Sequence, residues 1–179
     1  MITKITQIST KKGDLGMTSN AVMEILPKDD ILFQTLGSID ELSSFLGLTY
    51  HFIQIEELLF IQNHLEIISA IIASNPNHNN YTKLKQITQE DVLFLEIESQ
   101  KELTKHPLEP KFCLPGSSTS LAGSYLDVSR SVCRRAEREL THFAIKKIRK
   151  DLNYVQMYLN RLSDFLYILA RNQSKIEPK

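Results

Sequence analysis

Glycine and proline are scarce in this chain of 179 residues: there are six of each, and neither occurs in residues 77–106 or 124–177. Stretches that long cannot be serial short strands, which need turn residues every few positions. The chain therefore reads as mostly helical. Cysteine is scarcer still. Cys113 and Cys133 alone cannot form a disulfide framework or a four-ligand zinc site. Net charge is absent too, with 21 Lys and Arg against 21 Asp and Glu, so no blanket electrostatic attraction to nucleic acid or an anionic membrane is expected. No apolar run approaches the ~20 residues of a membrane span, and the N-terminus lacks the apolar core of a secretion signal. These absences predict a soluble, reduced, cytoplasmic protein with neither nucleic acid nor membrane as partner. At 42% apolar residues, the length suits one domain (1–179) that buries a core without staples or metal.

What is present organises into an arm and a bundle. Residues 1–36 hold Gly13, Gly16 and Pro27 among mixed charges with weak periodicity, and read as loop with short extended pieces. Ser38 and Glu41 have the spacing of a capping box, which predicts that helix one starts after Gly37. Ile39, Leu42, Phe45, Leu46 and Phe52 then share a face. Leu58, Leu65, Ile68, Ile71 and Ile72 mark helix two over about 55–74, and helix three runs from about Gln89 to Lys105 behind Thr88 as N-cap. Two long helices follow, at roughly 119–149 and 152–174. Leu121, Tyr125, Val128, Val132, Ala136 and Leu140 mark the first stripe; Leu152, Val155, Leu159, Leu162, Leu166 and Leu169 mark the second, with Asp151 as its N-cap. The predicted architecture is all-α, an antiparallel five-helix bundle over 37–174 carrying a loop-rich N-terminal arm, 1–36.

The fourth helix carries the most unusual chemistry. Arg130, Arg134, Glu137 and Arg138 fall on one face, with Arg135 beside them. Stacked guanidiniums repel unless an anion lies across them, and arginine suits bidentate contact with phosphate or carboxylate. A solvated, ion-paired face would show the same spacing. On helix five, Asn160, Arg161 and Asp164 interrupt an apolar stripe. The segment Thr10–Ser19 combines two glycines, two lysines and several hydroxyls, which suits backbone N–H groups wrapping a phosphate chain. It lacks the Walker A spacing. The five histidines show no close metal-ligand spacing, so an enzyme built this way would work by positioning and electrostatics.

Four segments together resemble the PduO-type ATP:cob(I)alamin adenosyltransferases: TKKGDLGMTS at 10–19, PKDD with GSIDELSS at 27–30 and 37–44, SRSVCRRAER at 129–138, and YLNRLSDFLYILAR at 158–171. The resemblance implies a ferritin-like five-helix bundle, a homotrimer with active sites between subunits, and ATP, Mg²⁺ and cobalamin as ligands. It implies that cob(I)alamin attacks the 5′ carbon of ATP, giving adenosylcobalamin and free triphosphate. The cobalt is itself the nucleophile, so the protein orients the carbon and stabilises the leaving charge. A catalytically weak trimeric carrier or sensor of ATP or cobalamin is the alternative. A corrinoid reductase or a cobalamin-dependent enzyme would be its protein partner.

By position, the resemblance gives Thr10, Lys11, Lys12, Gly13, Thr18, Ser19 and Lys28 to the nucleotide loop. It gives Arg134, Arg135, Glu137 and Arg138 to ATP on helix four, and Asn160 on helix five. Asp40 and Arg130 match a salt bridge across the subunit boundary, and Phe112 matches the aromatic residue that displaces cobalamin's lower axial ligand. The chain also departs from the pattern. Leu15 stands where relatives carry Lys, and Met23 and Ile25 where Gly and Arg are common. Ser117 replaces a frequent glycine in a stretch, 116–129, about two residues longer than usual, and Asp127 stands where His is typical.

Overall fold

Asp30, rather than Ser38, opens the first helix. In the computed structural model, which describes residues 2–7, 9, 11, 13–116 and 120–173, α1 spans Ile31–Ile53 and the Asp30 carboxylate accepts the Leu32 N–H at 2.9 Å. The predicted start after Gly37 is therefore about two turns late. Ser38 and Glu41 reach across to another helix instead: Ser38 donates to Glu139, and Glu41 pairs with Arg135. Backbone donation from Leu32, reinforced by Lys147 at 3.0 Å against the opposing effect of burial, holds the Asp30 carboxyl below its ordinary range.

The remaining helices are α2 (Glu56–Ala73), α3 (Gln89–Lys105), α4 (Leu121–Lys146) and α5 (Asn153–Asn172). Thr88 caps α3 as predicted, in a capping box with Asp91. Asp151 does not cap α5. It sits in a 3₁₀ turn, Lys150–Leu152, where its carboxylate is taken by Arg149. Helix α4 stops at Lys146 and not near 149, because the chain turns there in a Schellman arrangement: Arg149 N–H returns to the Ala144 carbonyl at 2.8 Å and Ile148 N–H to Ile145. Ile148 occupies the left-handed position at φ 55°.

Neighbouring helices lie in the order α2–α1–α4–α5–α3. Successive helices run antiparallel; α3 and α5 lie side by side and parallel, Asn172 of α5 reaching Glu102 of α3. The predicted stripes of α2 and α5 are buried throughout. On α1 and α4 the stripes are narrower than predicted: Phe52, Leu121 and Val128 are exposed. His64 stands at the α2–α3–α5 junction, 3.1 Å from the Tyr158 hydroxyl and 3.5 Å from Asp91. Burial lowers its pKa despite the Asp91 charge. Ahead of the bundle, β1 (Met17–Ser19) and β2 (Ile25–Pro27) form a short antiparallel hairpin, the extended pieces expected in the arm.

Candidate functional site

Helical spacing places Arg130 and Arg134 one turn apart, and antiparallel packing of α5 against α4 sets Ser163, Asp164, Tyr167 and Ile168 opposite them. The six residues line a groove of about 200 Å³. Among the described residues no carboxylate lies within ion-pair distance of Arg134 or Arg138, and Arg138 turns one N–H onto the Arg134 carbonyl at 2.9 Å. Uncompensated guanidiniums on one helix face form a local positive field that a polyphosphate would complement.

The structure separates the other members of the predicted cluster by role. Glu137 accepts the Asn160 amide at 2.9 Å, so the two polar residues predicted on α4 and α5 meet directly. The Asn160 carbonyl in turn accepts from Arg161, and Arg161 lies 3.6 Å from Asp164. Arg135 faces α1, ion-paired with Glu41 and partly exposed. Asp40 lies on α1 in a different groove, with Ser43, Leu59, Gln62 and Glu66. Within one chain the structure pairs Arg130 with Asp127 at 3.8 Å, and not with Asp40.

The arm brings two predicted residues together. The Lys28 side chain lies over Gly13, where a Cβ would meet its Nζ at 3.0 Å. Lys28 N–H also bonds the Gly16 carbonyl at 2.8 Å, closing the 13–16 turn onto the hairpin. Thr18 and Ser19 lie on β1 opposite Leu26 and Ile25. Lys11 is exposed; Thr10, Lys12 and Ser117 lie outside the described residues. Leu15 is 93% exposed, and Met23 turns the hairpin at φ 64°, a conformation that glycine adopts freely. Phe112 projects from the irregular connection between α3 and α4, 89% exposed.

Sequence reasoning missed two arginines. Arg149 is buried beyond the end of α4. Arg171 forms a buried ion pair with Asp127, its side chain 6% exposed. The Asp127 departure was the only signal for the second. Among the described residues no group of three His, Cys, Asp or Glu side chains could hold a metal ion, and no helix is long and apolar enough to cross a membrane.

Comparison with known proteins places this geometry in context. A family model described as cobalamin adenosyltransferase matches residues 8–173. The corrinoid adenosyltransferase MMAB of Bos taurus is 36% identical, the match covering 94% of this chain and 71% of that protein. The corrinoid adenosyltransferase of Bacillus subtilis is 34% identical, over 92% of this chain and 85% of the relative. Among solved structures, a phenylalanine-to-alanine variant of the PduO-type ATP:corrinoid adenosyltransferase from Lactobacillus reuteri, complexed with cobalamin and ATP, superposes with a TM-score of 0.80. It is 30% identical, and the match covers 92% of this chain and 91% of that one.

Proposed function

The chain belongs to the cobalamin adenosyltransferase family, and from that premise we propose that it transfers the 5′-deoxyadenosyl group of ATP to cob(I)alamin. In this reaction the cobalt electron pair forms the Co–C bond, the C5′–O bond breaks, and its electrons leave on triphosphate. The observation that carries the reading is the α4 face on which Arg134 and Arg138 hold uncompensated charge beside the α4/α5 groove. Charge develops on the leaving triphosphate as the C–O bond opens, and donors fixed in advance stabilise it without reorganisation.

The other residues supply position. Asn160 and Glu137 fix each other across the α4–α5 seam, which gives the nucleoside a rigid polar edge. The arm, with Gly13 and Lys28 in contact, closes over the phosphates together with Lys11, Thr18 and Ser19. Thr10 and Lys12 are assigned to the same loop by the family pattern alone. Mg²⁺ would enter on the phosphate oxygens of ATP and neutralise part of their charge. Phe112 is free to meet the corrinoid from the opposite side and displace its lower ligand.

A homotrimer completes the site in this reading. Asp40 sits beside Glu66 in an acidic groove on α1 and α2, while Arg130 opens onto the groove of the opposite sign. Contact between copies would bring the two together. Anaerobic mixing of protein, MgATP and cob(I)alamin tests the proposal. Loss of the cob(I)alamin spectrum matched by triphosphate release is expected. Binding of both ligands without turnover would instead select a carrier or sensor.

A further inference from the structure

Asp127 lies on α4 one turn before Arg130 and is 4% exposed. One carboxylate oxygen accepts from Arg171 Nη2, and the other stands 3.8 Å from Arg130 Nε. A single buried carboxylate thus faces two guanidiniums. The trio carries one excess positive charge.

Its hydrogen bonding is also incomplete. Arg130 Nε, Arg171 Nε and Arg171 Nη1 are shielded from solvent and lack a hydrogen-bond partner, Asp127 standing beyond hydrogen-bond distance of Arg130 Nε. Unsatisfied buried donors are costly, so an arrangement that keeps three of them needs a compensating constraint. Tyr167 provides part of it, with the Arg171 guanidinium 5.5 Å from its ring centre. Tyr167 itself lines the groove with Arg130 and Arg134, and on its other side lines a cavity of about 240 Å³ with Arg171, Lys111 and Cys113 of the Phe112 connection. The chain of contacts runs from that connection through Arg171 and Asp127 to Arg130.

We infer that Asp127 and Arg171 are positioning residues for Arg130, holding its Nε side inward so that the guanidinium is presented to the groove in one orientation. The inference rests on the proposed reaction for its kinetic test. Arg171 fixes Asp127, because an aspartate pinned by only one flexible, partly exposed arginine would be free to change rotamer. Asp127 then fixes Arg130, whose side chain is 25% exposed and lines the groove. Misplacing a positioning group by about 1 Å can cost on the order of a hundredfold in rate.

The test is Arg171→Met, which keeps the volume and apolar stem but removes both the charge and the donors. Adenosyl transfer should lose at least about tenfold in kcat with the KM for ATP changed by less than about threefold. Arg171→Lys should recover part of the loss. If Arg171→Met fails to fold, Asp127→Asn carries the same expectation with an isosteric change. A kcat within about twofold of the parent in the folded variant overturns the inference. So does an Arg171→Lys variant as slow as Arg171→Met, which would mark the pair as merely structural. An inactive parent protein would instead overturn the proposed reaction. In that event the arginine Nε–H resonances decide separately. Arg130 should give its own exchange-protected signal in the parent, and that signal should merge with the solvent-exposed arginines in Arg171→Met. A signal that stays put overturns the positioning role.

Discussion

Arg149, just beyond the end of α4, and Arg134, near its middle, carry the same charge into opposite surroundings. Arg149 is buried. Its Nε donates to Asp151 at 2.9 Å, Nη1 to the Ser74 carbonyl at 3.0 Å, and Nη2 to the Ile71 carbonyl at 3.0 Å. Its guanidinium lies over Phe143 and Tyr81 at 5.8 and 5.7 Å. It thereby caps the C-terminus of α2, where unpaired carbonyls and the helix dipole both favour a cation. Arg134 has no such partners and faces an open groove. The contrast separates a closed cluster, whose charges are used up in holding the fold, from an open one whose charges await a ligand. Counting arginines would not have distinguished them.

The largest expected effect breaks the closed cluster. Arg149→Ala leaves the Asp151 carboxylate with Tyr81 alone and takes the arginine donors from the Ile71 and Ser74 carbonyls at the end of α2, which should cost about 3 kcal/mol. At ~2–4 °C per kcal/mol for a domain of this size, the midpoint falls by ~6–12 °C. Thermal unfolding followed by circular dichroism checks it, and a fall under about 2 °C would show that the cluster is ornamental. The matching change in the open cluster inverts the outcome. Arg134→Ala should cut kcat/KM for ATP by at least about tenfold while the midpoint stays put, because Ala is a good helix former at an exposed position.

Much of this fold was legible because helical periodicity is local. The stripes of α2 and α5, and Thr88 ahead of α3, needed no knowledge of neighbours. The start of α1 was misread for the same reason. Ser38 and Glu41 have capping-box spacing, yet both bond across to α4, and spacing cannot say which partner a side chain meets. The arginine face followed from three- and four-residue steps, whereas the Asn160–Glu137 and Asp127–Arg171 contacts depend on how α5 packs on α4. Arg149 stayed hidden because the residue before it is isoleucine. A glycine there would have marked the end of the helix.

Titration sharpens the comparison further. Burial raises the Asp151 carboxyl, but donation from Arg149 and Tyr81 outweighs it and leaves the pKa below the ordinary carboxylate range. Burial and then the Asp151 hydrogen bond push Tyr81 up to about 12. The depressed carboxyl contributes stability that is present above its ordinary pKa and lost as pH falls through the folded value. The raised phenol contributes stability that is present below about 10 and lost as pH rises from there toward about 12. Thermal midpoints measured across pH should therefore decline at both extremes, and Asp151→Asn should remove the acid contribution of Asp151 and reduce the alkaline one only in part, because the burial of Tyr81 remains. His64, buried neutral, adds a separate decline as pH falls below 6.5, which Asp151→Asn should leave in place.

The smallest expected effect concerns the turn that delivers Arg149 to its partners. Ile148 occupies the C′ position of the Schellman motif at φ 55° and is 77% exposed. A left-handed conformation costs an L-residue roughly 1–2 kcal/mol, and a β-branched side chain is among the least tolerant of it. Glycine removes that cost but has more freedom to lose on folding, which returns roughly 0.5–1 kcal/mol. Ile148→Gly should therefore stabilise the protein by about 0.5–1 kcal/mol, a rise of ~1–4 °C. Little packing is lost at such exposure. The result also reports on the closed cluster, because the strain at Ile148 persists only if the Arg149 contacts beyond it over-determine the backbone. A lowered midpoint would mean that the Ile148 side chain contributes real packing to the cavity it lines with Leu26, Ile72 and Phe143. The turn would then be held by apolar contact as much as by the arginine.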